Sequence, residues 1–295
     1  MENETASESS AAHDHDRGLA YDLRLMAVKF MKRRRFLHLA AGVGFASLTA
    51  SLACGDDDDD DDDATGAATD DDVSADDDTA GDDDSDGTCS TIPEETEGPY
   101  PGDGSNGPNA LEESGVVRSD IRSGFGDASG TAAGVLTTLT LTLVDTNNDC
   151  APLSGYAVYL WHCDSEGRYS LYDLPSQNYL RGVQVSDDNG RLTFTTIFPG
   201  CYAGRWPHMH FEIYPSLAVA TSAANKIATS QLALPESACN EVYAESDYDS
   251  SAANLAVTSL ASDTVFNDGV ESQMASVSGT VAGGLTATLT VGVSA

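Results

Sequence analysis

Hydrophobic and polar positions alternate along several short stretches in the C-terminal two-thirds of the chain, the period-2 signature of strands with one buried face. Residues 136–144 interleave leucine with threonine, residues 157–163 form an apolar run, and residues 207–214 alternate again. Residues 182–186 and 191–197 flank the turn Asp187-Asp188-Asn189-Gly190. They read as a hairpin, because Asn-Gly supplies the positive φ that tight hairpin turns require. Residues 273–293 offer two more strands around Ala282-Gly283-Gly284, while residues 222–232 read equally as a short helix or an irregular excursion. No internal repeat is evident. Short extended segments punctuated by Gly, Asn, Asp and Pro predict an all-β fold, an antiparallel β-sandwich.

The start of the chain follows other rules. The basic stretch Lys32-Arg33-Arg34-Arg35 precedes an apolar run, residues 36–53, that ends in small residues. This is the layout of a signal peptide, and the paired arginines before Phe36-Leu37 resemble a twin-arginine export signal. The run is about 18 residues and is broken by His38, Gly42, Gly44 and three hydroxyl residues, a poor membrane span. The stretch before Met31 is acidic and polar, unlike a leader, and carries no functional inference. Cys54 follows Ser51-Leu52-Ala53 in a setting that resembles a lipid-attachment box, with simple cleavage and free secretion as the alternative. The aspartate run that follows would be a self-repelling, disordered tether. The expected organisation is therefore an N-terminal extension and signal (1–53), an Asp-rich linker (54–87) and one globular domain (88–295), exported to the periplasm or cell surface.

Of the 48 acidic residues, 18 lie between Asp56 and Asp86, so much of the net charge of −34 belongs to that linker. The remainder is still acidic, which argues against nucleic acid and anionic membrane surfaces as partners. Five cysteines follow Cys54, an odd number that leaves at least one thiol unpaired, and spacing does not fix the connectivity. Only three histidines, His162, His208 and His210, follow the export signal. Residues two apart on a strand face the same side, so His208 and His210 can present both imidazoles to one point. A Gly- and Pro-rich loop, residues 198–207, places Tyr202 and Arg205 beside them.

Several motifs in order carry a resemblance to the intradiol ring-cleavage dioxygenases, especially their small exported members, from about Cys89 to the C-terminus. They are Thr96-Glu97-Gly98-Pro99-Tyr100, Trp161-His162-Cys163-Asp164 with Gly167-Arg168-Tyr169-Ser170, Leu180-Arg181-Gly182-Val183-Gln184, and Pro199-Gly200-Cys201-Tyr202 with Gly204-Arg205 and His208-Met209-His210-Phe211. The resemblance implies iron(III), Fe(3+), held by Tyr169, Tyr202, His208 and His210. A phenol titrates near pH 10, so binding it as phenolate at neutral pH calls for a strong Lewis acid.

It further implies that a small aromatic diol and O2 are the substrates, and that the ring opens between the two hydroxylated carbons to a cis,cis-muconate-type product. Tyr202 would be released to take up a proton, Arg205 would stabilise negative charge on the ring, and Gln231 would line the pocket. His162 reads as structural or as support for the ligands, and Arg181 and Gln184 as architectural or adjacent to the pocket. Two other readings stand beside this one: a non-catalytic iron- or catechol-binding module at the cell surface, and a purely structural domain. Neither the oligomeric state nor the substrate's ring substituents can be read from the sequence.

Overall fold

The computed structural model describes residues 89–295. The expected signal peptide, acidic linker and Cys54 lie outside the described residues.

Among the described residues nine strands form two sheets. In the first, β1 (Leu136–Asp145) pairs with β5 (Arg191–Ile197) on one side and β9 (Gly284–Val293) on the other, β8 (Ser276–Thr280) pairs with β9, and the short β2 (Ala151–Pro152) pairs with the end of β1. Thr138, Thr140 and Thr142 of β1, Thr193 and Thr195 of β5, and Thr286, Thr288 and Thr290 of β9 take the outer face, while Leu139, Leu141, Leu143, Leu192, Phe194, Ala287, Leu289 and Val291 point inward and are buried. The alternation in the sequence records this one-sided burial. The antiparallel expectation needs one correction: β1 and β9 run parallel. More than a hundred residues separate them, so no tight turn dictates their relative direction.

The second sheet has the order β4-β3-β6-β7, from β4 (Arg181–Val185), β3 (Ala157–Trp161), β6 (His208–Tyr214) and β7 (Ala228–Ala233), all antiparallel. Every residue of β3, β6 and β7 is buried. Val158, Leu160, Met209, Phe211, Ile213 and Leu232 meet the first sheet in the main core. The opposite face carries Tyr159, Trp161, Val183 and Tyr214, part of a second apolar cluster with Leu111, Val116, Phe125 and Tyr169. Residues 92–125 cover this face, which is why it too is dry.

The hairpin expected across residues 182–197 does not form. Its turn is present, with Gly190 N–H donating to Asp187 O, but β4 and β5 belong to different sheets. Residues 116–121 run between them: Val183 N–H donates to Val116 O and Arg118 N–H to Val183 O, while Thr195 N–H donates to Ser119 O and Ile121 N–H to Thr195 O. This inserted segment takes the hydrogen bonds the two strands would have exchanged. Residues 222–232 resolve into a 3-10 turn, Ala223–Asn225, followed by β7. Two seven-residue helices, α1 (Glu236–Val242) and α2 (Asp249–Leu255), lie in the excursion between β7 and β8. Among the described residues Cys89 and Cys150 form a disulfide, and Cys163, Cys201 and Cys239 are buried free thiols.

Candidate active site

β6 places His208 and His210 on the face turned away from the main core, because Met209 and Phe211 alternate with them into that core. The His208 Nδ1 lies against the carbonyl of Trp206. A carbonyl only accepts, so Nδ1 carries the proton and Nε2 keeps its lone pair. That Nε2 lies 3.1 Å from the Nε2 of His210. Across the β3–β6 ladder, Trp161 pairs with His210 and stacks on it, rings 5.0 Å apart and 8° from parallel, fixing the second imidazole.

Two loops bring the tyrosines. Buried Asp164 accepts from Arg168 N–H and pairs with the Arg168 guanidinium, closing the turn that leads to Tyr169. Gly200 N–H donates to Asp164 O, so the loop bearing Tyr202 rests on the loop bearing Tyr169. A Cβ at Gly200 would stand 2.6 Å from Ser165 O, so only glycine permits this approach. The Tyr202 Oη lies 3.1 Å from His208 Nε2 and 3.4 Å from Tyr169 Oη. Four donor atoms, two phenol oxygens and two imidazole nitrogens, thus converge on one point.

Burial pushes the Tyr169 phenol well above its usual range and holds both imidazoles well below theirs. At neutral pH the histidines are therefore neutral, with lone pairs available, and Tyr169 ionises only against a strong positive charge. Adjacent ligands of one metal ion, each about 2 Å from it, lie about 3 Å apart, which matches the spacings here. Lone pairs crowded together in a dry site call for a cation, and the hard phenol oxygens suit iron(III) better than a soft ion. Among the described residues no group of three or more His, Cys, Asp or Glu side chains converges, so this Tyr/His set is the candidate metal centre.

The Arg205 guanidinium, 3% exposed, donates from Nη2 to Gln231 Oε1 at 2.7 Å. Gln231 pairs with His210 across the β6–β7 ladder and donates from Nε2 to Thr96 O. The strap containing Thr96–Tyr100 is thereby tied to the site. Gly98, at φ +71°, lies against His210, where a Cβ would stand 3.3 Å from Cε1. Tyr100 packs on Tyr169, ring centroids 5.0 Å apart. Three donor residues are at most 3% exposed, whereas Tyr202 is half-buried, so the site opens on the Tyr202 side.

A dioxygenase family model matches residues 109–230. An intradiol ring-cleavage dioxygenase from Tetranychus urticae superposes with a TM-score of 0.54 at 28% identity, covering 70% of this chain and 95% of that one. The domain is thus similar to the intradiol ring-cleavage dioxygenases. Similar folds at lower identity include the dioxygenase domain of a dioxygenase carbohydrate-binding fusion from Streptomyces sp. SirexAA-E, with 20% identity, 69% and 98% coverage and TM-score 0.44. Catechol 1,2-dioxygenase from Pseudomonas arvilla C-1 has 20% identity, 63% and 60% coverage and TM-score 0.40.

The structure brings together the six candidate ligand and catalytic residues of the sequence: Tyr169, Tyr202, Arg205, His208, His210 and Gln231. His162 stands apart, its ring between Cys163 O and Thr196 Oγ1, so it supports the fold. Arg181 is fully buried and donates to Tyr100 O, Pro101 O and Ser170 O, which makes it the anchor of the strap. Gln184 donates to Val183 O on β4.

Sequence reasoning missed three supporting residues in the excursion after β7. Asp263 accepts from Arg205 Nε at 3.0 Å, Ser251 Oγ accepts from Cys201 N–H, and Asn254 Nδ2 donates to Cys201 O. All three lie beyond the segment the family model matches, and a lone Ser, Asn or Asp in a polar stretch gives no signal of what it will meet.

Proposed function

We propose that the domain uses iron(III) to cleave a catechol-type ring between its two hydroxylated carbons, adding both atoms of O2 to give a cis,cis-muconate-type product. The observation that carries this reading is the convergence of two phenols and two neutral imidazoles beside a buried guanidinium. When bound, iron(III) would draw electron density from a chelating diol and make its ring carbons reactive toward O2. Tyr169, Tyr202, His208 and His210 would hold the ion.

Each residue has a distinct part. His208 and His210 are fixed by Trp206 O and Trp161, and Tyr169 is enclosed, so these three form the permanent side of the site. Tyr202, the half-buried donor, would be the one an incoming diol reaches, and its Oη would leave the donor set and accept a substrate proton. Arg205, charged at any working pH, stabilises negative charge as it develops on the ring. Gln231 holds the guanidinium and the strap in register. Tyr100, packed on Tyr169, and Gly98, against His210, border the donor set.

Export to an oxidising compartment, with Cys54 as a lipid anchor, is part of the same proposal. The Cys89–Cys150 disulfide supports it, since such bonds persist outside reducing cytosol.

The test is the visible spectrum and oxygen uptake of the iron-loaded protein with catechol. A red, tyrosinate-type absorption that shifts with catechol, followed by oxygen uptake and a muconate absorbance, supports the reading. His210→Ala should abolish stoichiometric iron. Arg205→Ala should keep iron and the red absorption yet lose turnover by about a hundredfold or more, as removal of a charge-stabilising donor does. Full activity in both variants would sink the reading, and colour without turnover on a panel of catechols would favour a binding module.

A further inference from the structure

We propose that Asp263 is the positioning residue for Arg205, holding the guanidinium in the orientation that serves the substrate, so that turnover depends on a residue that touches no reactant. The proposal rests on the reading of the domain as a catechol-cleaving enzyme.

Arg205 and Asp263 are 3% and 0% exposed, so water cannot complete either charge. Asp263 Oδ2 accepts from Arg205 Nε at 3.0 Å and from Trp206 N–H at 2.6 Å. One oxygen therefore fixes both the side chain of Arg205 and the backbone just before His208. The other oxygen accepts from Val265 N–H at 2.7 Å and Phe266 N–H at 3.2 Å. That turn carries the Phe266 ring to 6.0 Å from the guanidinium carbon and 6.4 Å from the His208 ring.

A guanidinium is a rigid planar fork, so two bonds at separate corners define its plane. Asp263 at Nε and Gln231 at Nη2 supply those two bonds. Nη1 has no hydrogen-bond partner among the described residues and is left for a ligand. Gln231 alone would leave the fork free to rotate about one contact. Asp263 is also anchored independently of Arg205, through the three backbone N–H groups, and so acts as a fixed point rather than a follower. It lies 58 residues after Arg205 and outside the segment matched by the family model, in the excursion between β7 and β8.

Asp263→Asn keeps shape and one carbonyl oxygen but removes the charge and sets an N–H group against a cation. In the full, iron-loaded chain we expect it to lower kcat for catechol about tenfold to hundredfold, with KM, iron stoichiometry and the visible absorption nearly unchanged. In an Arg205→Ala background the same substitution should change kcat by less than about twofold, since residues that act as a unit are not additive. A merely structural Asp263 would instead give losses that multiply. The readout independent of turnover is the Arg205 Nε–H resonance in the metal-free protein, assigned by its loss in Arg205→Ala. It should exchange slowly with solvent in the wild type and fast in Asp263→Asn.

Multiplying losses, or a resonance still protected in Asp263→Asn, would overturn the proposal. If Asp263→Asn does not fold, Asp263→Glu, which retains the charge one methylene away, is put through the same comparison. If the wild type turns over no catechol, the functional reading falls, and the Nε–H protection alone decides whether Asp263 holds Arg205.

Discussion

Burial without a charged partner sets the charge state of some single residues in this domain, and His162 shows the consequence most simply. Its ring is enclosed between Cys163 O and Thr196 Oγ1, and loss of hydration pushes its pKa down to about 4. The unfolded chain binds a proton at this position below its ordinary value near 6.5. Between about pH 6.5 and 4 the unfolded state therefore gains a proton that the folded state refuses, and stability falls as pH falls. The loss attributable to His162 is about 2–3 kcal/mol once the pH reaches the folded value. Denaturant unfolding of wild type and His162→Gln at pH 7 and pH 4.5 isolates it: the stability gap between the two proteins should shrink at the lower pH. A gap independent of pH would show that His162 titrates normally. At this scale the sequence was partly legible. The spacing of His208 and His210 put both rings on one strand face, whereas Asp263 was silent, because its meaning depends on a chain that returns after 58 residues.

At the scale of elements, the excursion between β7 and β8 braces the two ligand-bearing loops. Ser251 of α2 accepts from Cys201 N–H at 2.9 Å and donates to Ser165 O at 3.2 Å, joining the loop of Tyr202 to that of Tyr169. Asn254 adds a bond to Cys201 O. Ser251→Ala strands a buried N–H group, which costs about 1–3 kcal/mol, and should also weaken iron retention because the two phenols lose their common support. Thermal melting together with the iron content after a mild chelator wash checks both effects; a melting change with iron fully retained would confine Ser251 to stability. Helices of seven residues are too short for a 3.6-residue period to stand out, so α1 and α2 escaped the sequence pattern. The strands of the first sheet were legible because one face meets water. β4 and β5 were assigned to each other for the same alternation and a good turn, but residues 116–121, which read as no element, compete for their edges and win.

For the whole molecule, the disulfide links a distant covalent bond to the site. Cys89 begins the segment that covers the second sheet, and Cys150 sits in the turn between β1 and β2. Just after Cys89, Ile92 N–H donates to Gly292 O and Glu95 N–H to Thr229 O, after which the strap reaches Gln231 and His210. The bond closes a loop with a sequence separation of 61, and chain entropy alone makes it worth about 4 kcal/mol. Cys89→Ser/Cys150→Ser should therefore lose about that much stability in denaturant unfolding, with a smaller effect on catechol turnover, because Arg181 and Gln231 still hold the strap by hydrogen bonds. The wild type in dithiothreitol should move toward the double variant, whereas the double variant itself should not respond, since Cys163, Cys201 and Cys239 are already free thiols. A wild type indifferent to reductant would mean that the covalent tie contributes nothing and that the strap is held by its hydrogen bonds alone. The expected response gives the proposed export a physical reason: the strap over the candidate metal site is most secure in the compartment that keeps this disulfide oxidised.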